Sequence, residues 1–78
     1  MQIQQLTYTI RLWDKQGCKC WSTSNCKKFT NDLVAFYAND CGFDLTKKIK
    51  TDEGYYYTTG NERLTVDYPI ELRTNKEH

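Results

Sequence analysis

Four glycines, at 17, 42, 54 and 60, each stand where a periodic stretch ends, and they leave this 78-residue chain room for short strands and a single helix. Upstream of the first, residues 6 to 12 alternate. Leu6, Tyr8, Ile10 and Leu12 share one face and Thr7, Thr9 and Arg11 the other, which is the period of a half-buried strand running on to Trp13. A three-residue loop Lys15-Gln16-Gly17, with Gly17 left-handed, closes a hairpin. That loop sets Asp14 against Cys18, Trp13 against Lys19, Leu12 against Cys20 and Arg11 against Trp21. The cysteines then join the apolar face and both tryptophans the other.

Ser22, Thr23, Ser24 and Asn25 are helix-capping residue types, and Ser24 or Asn25 is placed to accept the first free amides of a helix over about 25 to 41. Phe29, Leu33, Phe36 and Tyr37, with Cys26, fall on one stripe at a period of 3.6 and form the expected buried face. Gly42 stops the helix, and Phe43 follows where a glycine cap brings an apolar contact. The charges at the two ends oppose the helix dipole: Lys27 and Lys28 open the helix and Asp40 lies near its close. Local rules broken in this way mark the helix ends as a secondary interaction candidate, against ordinary drift on a solvated surface.

Past the helix, a loop Asp52-Glu53-Gly54 pairs Ile49 with Tyr57 and puts Ile49, Tyr55 and Tyr57 on one face. Gly60-Asn61 reads as a two-residue hairpin turn of the primed kind, setting Tyr57 against Leu64 and Tyr55 against Val66. Pro69 ends that run, and Ile70-Glu71-Leu72 is expected to add a short edge segment. The order ββαβββ predicts one α+β domain over residues 1–73, an antiparallel sheet with a single helix on one face, followed by a polar frayed tail at 74–78. One helix covers only one face of the sheet, so the other is left open.

Composition narrows the function classes. With 11 Lys+Arg against 10 Asp+Glu, a net charge of +1 opposes diffuse electrostatic capture of nucleic acid. No apolar run approaches the roughly 18 residues of a spanning helix, and the first nine residues lack the pattern of a signal peptide, so a cytoplasmic protein with no membrane partner is expected. The one histidine is the last residue, which removes the commonest general base. The carboxylates are scattered and no glycine is left to cradle a phosphate, so the expectation is a non-enzymatic protein without catalytic residues or cofactors. Cys18, Cys20, Cys26 and Cys41 form one C-x-C and two singletons, which is not the paired spacing of a zinc site. With Cys26 and Cys41 at opposite ends of one helix, 15 residues at about 1.5 Å of rise separate them by roughly 22 Å. Disulfides remain open, but small buried apolar side chains are the expected role, with no metal.

The open face is the main functional candidate. Arg11, Trp13, Lys19 and Trp21 project there, with Tyr56 and Arg63 from the second hairpin. Tryptophan and arginine offer broad flat area with a polar handle, as at protein-binding hot spots. The bland alternative has Arg11 and Lys19 stacking on the facing tryptophans and shielding them. A second candidate groups Lys47, Lys48 and Lys50 with Tyr55, Tyr56 and Tyr57, Tyr56 foremost, where lysines could track a phosphate backbone while single-stranded bases stack. Short lysine runs are also common as solvated faces.

Only two alanines and one proline, with abundant Lys, Asn, Thr and Tyr, point to an AT-rich coding sequence of the kind common in bacteriophages and mobile elements. In size and strand–helix layout the chain resembles the small phage-encoded inhibitors, host-polymerase inhibitors and anti-CRISPR proteins among them, a likeness that carries no motif. It implies an anti-CRISPR-like or host-takeover inhibitor docking a host protein. The alternatives are a single-stranded nucleic-acid binder and a structural homodimer subunit.

Overall fold

A computed structural model of the chain describes residues 6–73. Its elements are β1 (Tyr8–Asp14), β2 (Gly17–Ser24), α1 (Lys27–Cys41), β3 (Ile49–Lys50), β4 (Gly54–Thr58) and β5 (Arg63–Asp67), then a single 3₁₀ turn at Ile70–Leu72. The strands form one antiparallel sheet in the order β2-β1-β5-β4-β3, and α1 packs over β1, β2 and β5. This is the expected α+β arrangement. Ile70–Leu72 winds into the 3₁₀ turn and adds no edge strand, with Pro69 buried at its start and the Leu72 N–H donating to the Pro69 carbonyl. The tail at 74–78 lies outside the described residues.

Ile10 and Leu12 of β1 meet Val66 and Leu64 of β5, and Ile10, Leu64 and Val66 have no exposed surface. Tyr55 and Tyr57 of β4 oppose the same two β5 residues, as the Gly60-Asn61 spacing predicts. The loop chemistry differs from expectation, because neither Gly60 nor Asn61 has a positive φ and the turn is not of the primed kind. A hydroxyl shapes it instead. Thr59 Oγ1 accepts from the Asn61 and Glu62 amides at 3.3 and 3.0 Å.

Thr51 acts in the same way one hairpin earlier, accepting from the Glu53 and Gly54 amides at 3.2 and 3.1 Å. The loop shrinks to Asp52-Glu53, Gly54 becomes a strand residue, and Ile49 pairs with Tyr56 instead of Tyr57. A slip of one residue exchanges faces, so Ile49 leaves the core side for the open side. Gly54 is required there for closeness and not for a turn: a Cβ on it would fall on the Val66 carbonyl oxygen.

The first hairpin is corrected too. The Asp14 carboxylate accepts from the Gln16 amide at 2.7 Å, Asp14 pairs with Gly17, and Trp13 pairs with Cys18. The register returns to Leu12 against Cys20 and Arg11 against Trp21 by a bulge that leaves Lys19 unmatched on β1. Gly17 does carry a positive φ, of 127°.

The N-cap of α1 is Cys26, whose sulfur accepts from the Phe29 amide at 3.4 Å; the Ser24 hydroxyl braces it by donating to the Cys26 carbonyl at 2.8 Å. Gly42 closes the helix in the left-handed conformation and Phe43 is buried behind it, as expected. The buried stripe is Thr30, Val34 and Ala38, with Leu33, Tyr37 and Cys41 partly covered, whereas Phe29 and Phe36 are 48% and 66% exposed. Small residues four apart let the helix lie close to the sheet. Thr30 meets its own polar requirement by donating to the Cys26 carbonyl at 2.8 Å.

Beyond the reach of α1 the core is finished by tyrosines. Tyr55 packs edge-on against Tyr57 and Tyr68, and Tyr68 against Tyr8, with centroids 5.8 to 6.3 Å apart. Burial pushes the Tyr55 phenol up to about 12. An unfolded tyrosine ionises near 10.0, so between those values the unfolded chain releases a proton that the folded chain keeps. The resulting stability is complete below pH 10 and is lost as pH rises toward 12. The urea midpoint is expected to fall across this interval, and to fall less in Tyr55→Phe. Gly54→Ala is expected to cost about 1–3 kcal/mol in urea unfolding, because β4 must move off β5 to admit the methyl group.

Candidate interaction surface

In an antiparallel sheet, residues directly opposite share a face, so the observed registers define what the open side presents. One row crosses all five strands: Trp21, Arg11, Thr65, Tyr56 and Ile49. The next row holds Trp13 beside Arg63 and Thr58, and the row on the other side holds Thr9 beside Asp67. Arg11, Trp13, Trp21, Tyr56 and Arg63 therefore meet on one face.

The middle of this face is tied together by its own side chains. Arg11 Nη1 lies 2.8 Å from Asp67 Oδ2, one position off the straight pairing, with both side chains about a third exposed or less. The indole of Trp13 donates to Thr65 Oγ1 at 2.9 Å, and the Arg63 guanidinium stands 4.8 Å from the Tyr56 ring centroid. Arg11 is thus engaged by a carboxylate and not stacked on tryptophan, and the cation–aromatic contact on this face belongs to Arg63 and Tyr56. The ends of the central row are freer, with Trp21 61% and Ile49 42% exposed. Between Trp13 and the Gly60 loop the surface dips into a cavity of about 430 Å³, lined also by Thr58, Glu62 and Arg63.

Lys19 departs from the expected site. As the bulge residue it reaches Glu62, 3.3 Å away at the end of the second hairpin, and that hydrogen bond holds its ammonium above the usual lysine range. Its role is to tie two hairpins together, and it does not cover a tryptophan.

The residues of the second candidate are divided between the two faces of the sheet. Lys48 Nζ sits 4.3 Å from the centroid of the Tyr55 ring and Lys50 pairs with Tyr55, on the helix side of the sheet, while Tyr56 faces the open side. Lys47 belongs to the exposed turn that Asp44 organises, where its amide donates to the Asp44 carbonyl at 3.1 Å. Lys48 and Lys50 thus do not share a face with Tyr56.

Ile49, Thr65 and Asp67 belong to the open face without having been marked from the sequence. Thr65 and Asp67 follow from the alternation of β5 once Leu64 and Val66 are taken as core. Ile49 required the Thr51 turn to be recognised, and its signal is the Thr-Asp-Glu-Gly run itself.

All four cysteines are free. Cys18 and Cys20 are exposed on the edge strand β2 and Cys26 is exposed at the helix N-cap, so these three are not the buried apolar side chains expected, whereas Cys41 packs partly covered against the core. Cys20 Sγ lies 3.9 Å from the Tyr37 hydroxyl, which also bonds Ser22 Oγ at 2.9 Å. Among the described residues no three His, Cys, Asp or Glu side chains converge as metal ligands. No helix among them is long and apolar enough to cross a membrane.

No protein-family model matches the chain, and no curated protein or solved structure matches it either.

Burial pushes the Cys41 thiol above its usual range. A thiol-reactive dye applied to the native protein is therefore expected to label three cysteines quickly and Cys41 slowly, whereas denaturant should make all four equivalent.

Proposed function

We propose that this chain is a non-enzymatic protein-binding module that docks a partner protein on its open sheet face. The observation that supports it most directly is the row across the five strands, ending in exposed Trp21 and Ile49, with Arg63 held on Tyr56 beside it. Hot spots need rigid flat groups that lose little freedom on binding. Trp13 is held by Thr65 and Arg11 by Asp67, so much of the ordering cost is met before a partner arrives. Arg63 has no ion pair among the described residues, so the fitting partner sets a carboxylate opposite Arg63 and apolar side chains opposite Trp21 and Ile49. With the mobile-element origin that the composition implies, that partner is a host protein and the docking is inhibitory.

The test is affinity capture from the source cell with wild-type, Trp21→Ala, Arg63→Ala and Ile70→Ala proteins, each checked for folding by circular dichroism. One protein enriched by the wild type is expected to fall about tenfold or more with Trp21→Ala and with Arg63→Ala. It should be unchanged with Ile70→Ala, which lies outside this face. Equal recovery by all four proteins would overturn the proposal.

A further inference from the structure

The cavity between Trp13 and the Gly60 loop has its origin in the row of residues that borders it. Trp13 and Arg63 stand directly opposite each other on β1 and β5, with Thr58 beside Arg63 on β4. Both long side chains lean away from the loop: the Trp13 indole reaches Thr65 and the Arg63 guanidinium reaches Tyr56, each in the central row. The space given up at the loop end of their own row is the cavity. Its volume of about 430 Å³ lies toward the lower end of the range of ligand pockets.

The lining groups differ in what they have left to offer. The hydroxyls are engaged, Thr58 Oγ1 donating to the Thr59 and Glu62 carbonyls and Thr65 Oγ1 accepting from Trp13. The acids are engaged too, Glu62 by Lys19 at 3.3 Å and Asp14 by the Gln16 amide at 2.7 Å. Among the described residues the Arg63 guanidinium and the Asn61 carboxamide have no hydrogen-bond or ion-pair partner. The unspent polar groups are therefore donors, one of them charged, and they stand beside an indole. A ligand that complements them brings an anionic acceptor and an apolar group together.

We infer that this cavity receives the C-terminal residue of a partner protein, its carboxylate on Arg63 with Asn61 as second donor, and its apolar side chain against the Trp13 indole. This rests on the reading of the open face as a docking surface and specifies the chemistry that meets Arg63. A guanidinium takes a carboxylate through two parallel hydrogen bonds, and Tyr56 holds Arg63 in place beforehand. Geometry favours a chain terminus over an internal acid. In a terminal residue the carboxylate and the side chain leave one Cα and enter one cavity together. In a chain that runs on over the sheet, neighbouring side chains point to opposite sides and the next on the same side is about 7 Å further along, so an internal acid delivers its carboxylate alone.

Amide and indole NMR spectra of the isotope-labelled chain test this with short peptides, read at the Trp13 indole N–H and the amides of residues 58–63. Acetyl-Gly-Gly-Leu with a free carboxylate is expected to shift these signals with a dissociation constant in roughly the millimolar range. The same peptide as its C-terminal amide, and acetyl-Gly-Asp-Leu amide, should each bind about tenfold more weakly or not at all. Arg63→Gln should lose the free-acid peptide to the same degree while the rest of its spectrum reports an intact fold, and Ile70→Ala, outside this face, should bind it as wild type does. The inference is overturned by an amide or an internal aspartate that binds as well as the free acid, or by shifts centred away from Trp13. It is equally overturned by undiminished binding to Arg63→Gln, or by no shift at the highest soluble peptide concentration. Capture of a partner through Trp21 is read separately, so a partner that meets Arg63 with an internal acid is told apart from a face that docks nothing.

Discussion

The pairing of β1 with β5 is the constraint on which the remaining structure depends. It joins residues fifty or more positions apart and is, among the described residues, the only strand pairing between the N-terminal hairpin and the three strands that follow the helix. Its core side is Ile10 on Val66 and Leu12 on Leu64, and its solvent side is fastened by Arg11 on Asp67 and Trp13 on Thr65. Those polar contacts are individually modest. Together with the apolar pairs they define a single register, and a slip by one would move Ile10 and Leu12 into water. The same contacts that close the sheet thus immobilise the side chains proposed to meet a partner. Because the pairing is non-local, chain closure must precede most of the gain from burial, and folding is expected to be one cooperative and comparatively slow event.

The core is divided between two kinds of cover. Over β1, β2 and β5 the helix approaches closely on Thr30, Val34 and Ala38. Over β4, interlocked rings of Tyr55, Tyr57 and Tyr68 stand in for a second helix, each ring bringing large area with a hydroxyl that can reach water at the rim. A chain of this length buries only about 60% of its unfolded surface, which leaves little apolar area to spare. Among the described residues seven large hydrophobic side chains nevertheless remain exposed: Trp21 and Ile49 on the open face, Phe29 and Phe36 on the helix, and Leu45, Ile70 and Leu72 in the connecting segments.

Much of this was legible in the sequence, for reasons that differ by element. The β4–β5 register follows from alternation on both sides of a two-residue loop, where two independent signals agree. α1 was legible in extent but not in rotation, because Leu33 and Tyr37 belong equally to the stripe through Phe29 and to the stripe through Val34. Residue size and spacing, not hydrophobicity, decided between them. The β3 register does not follow from the position of Gly54, because the Thr51 hydroxyl holds the Glu53 and Gly54 amides and shortens the loop by one residue. The placement of Arg11, Trp13, Trp21, Tyr56 and Arg63 survived because each depended on alternation within one strand. Lys19 did not, because a bulge is a local exception that alternation does not announce.

The hydroxyl-held loops bear on how this fold would look after long divergence. Gly60 adopts a backbone open to any residue, and nothing lies near the space its side chain would occupy, whereas Thr59 supplies the bonds that shape the turn. A distant descendant is therefore free to lose the Gly-Asn pair that reads so readily as a turn. It would keep a hydroxyl or carboxylate at 51 and 59, a glycine at 42 where the backbone is left-handed, and a glycine at 54 where two strands nearly touch. Kinship in this lineage would be carried by threonines before loops and one glycine inside a strand, a pattern faint enough to escape comparison by overall similarity.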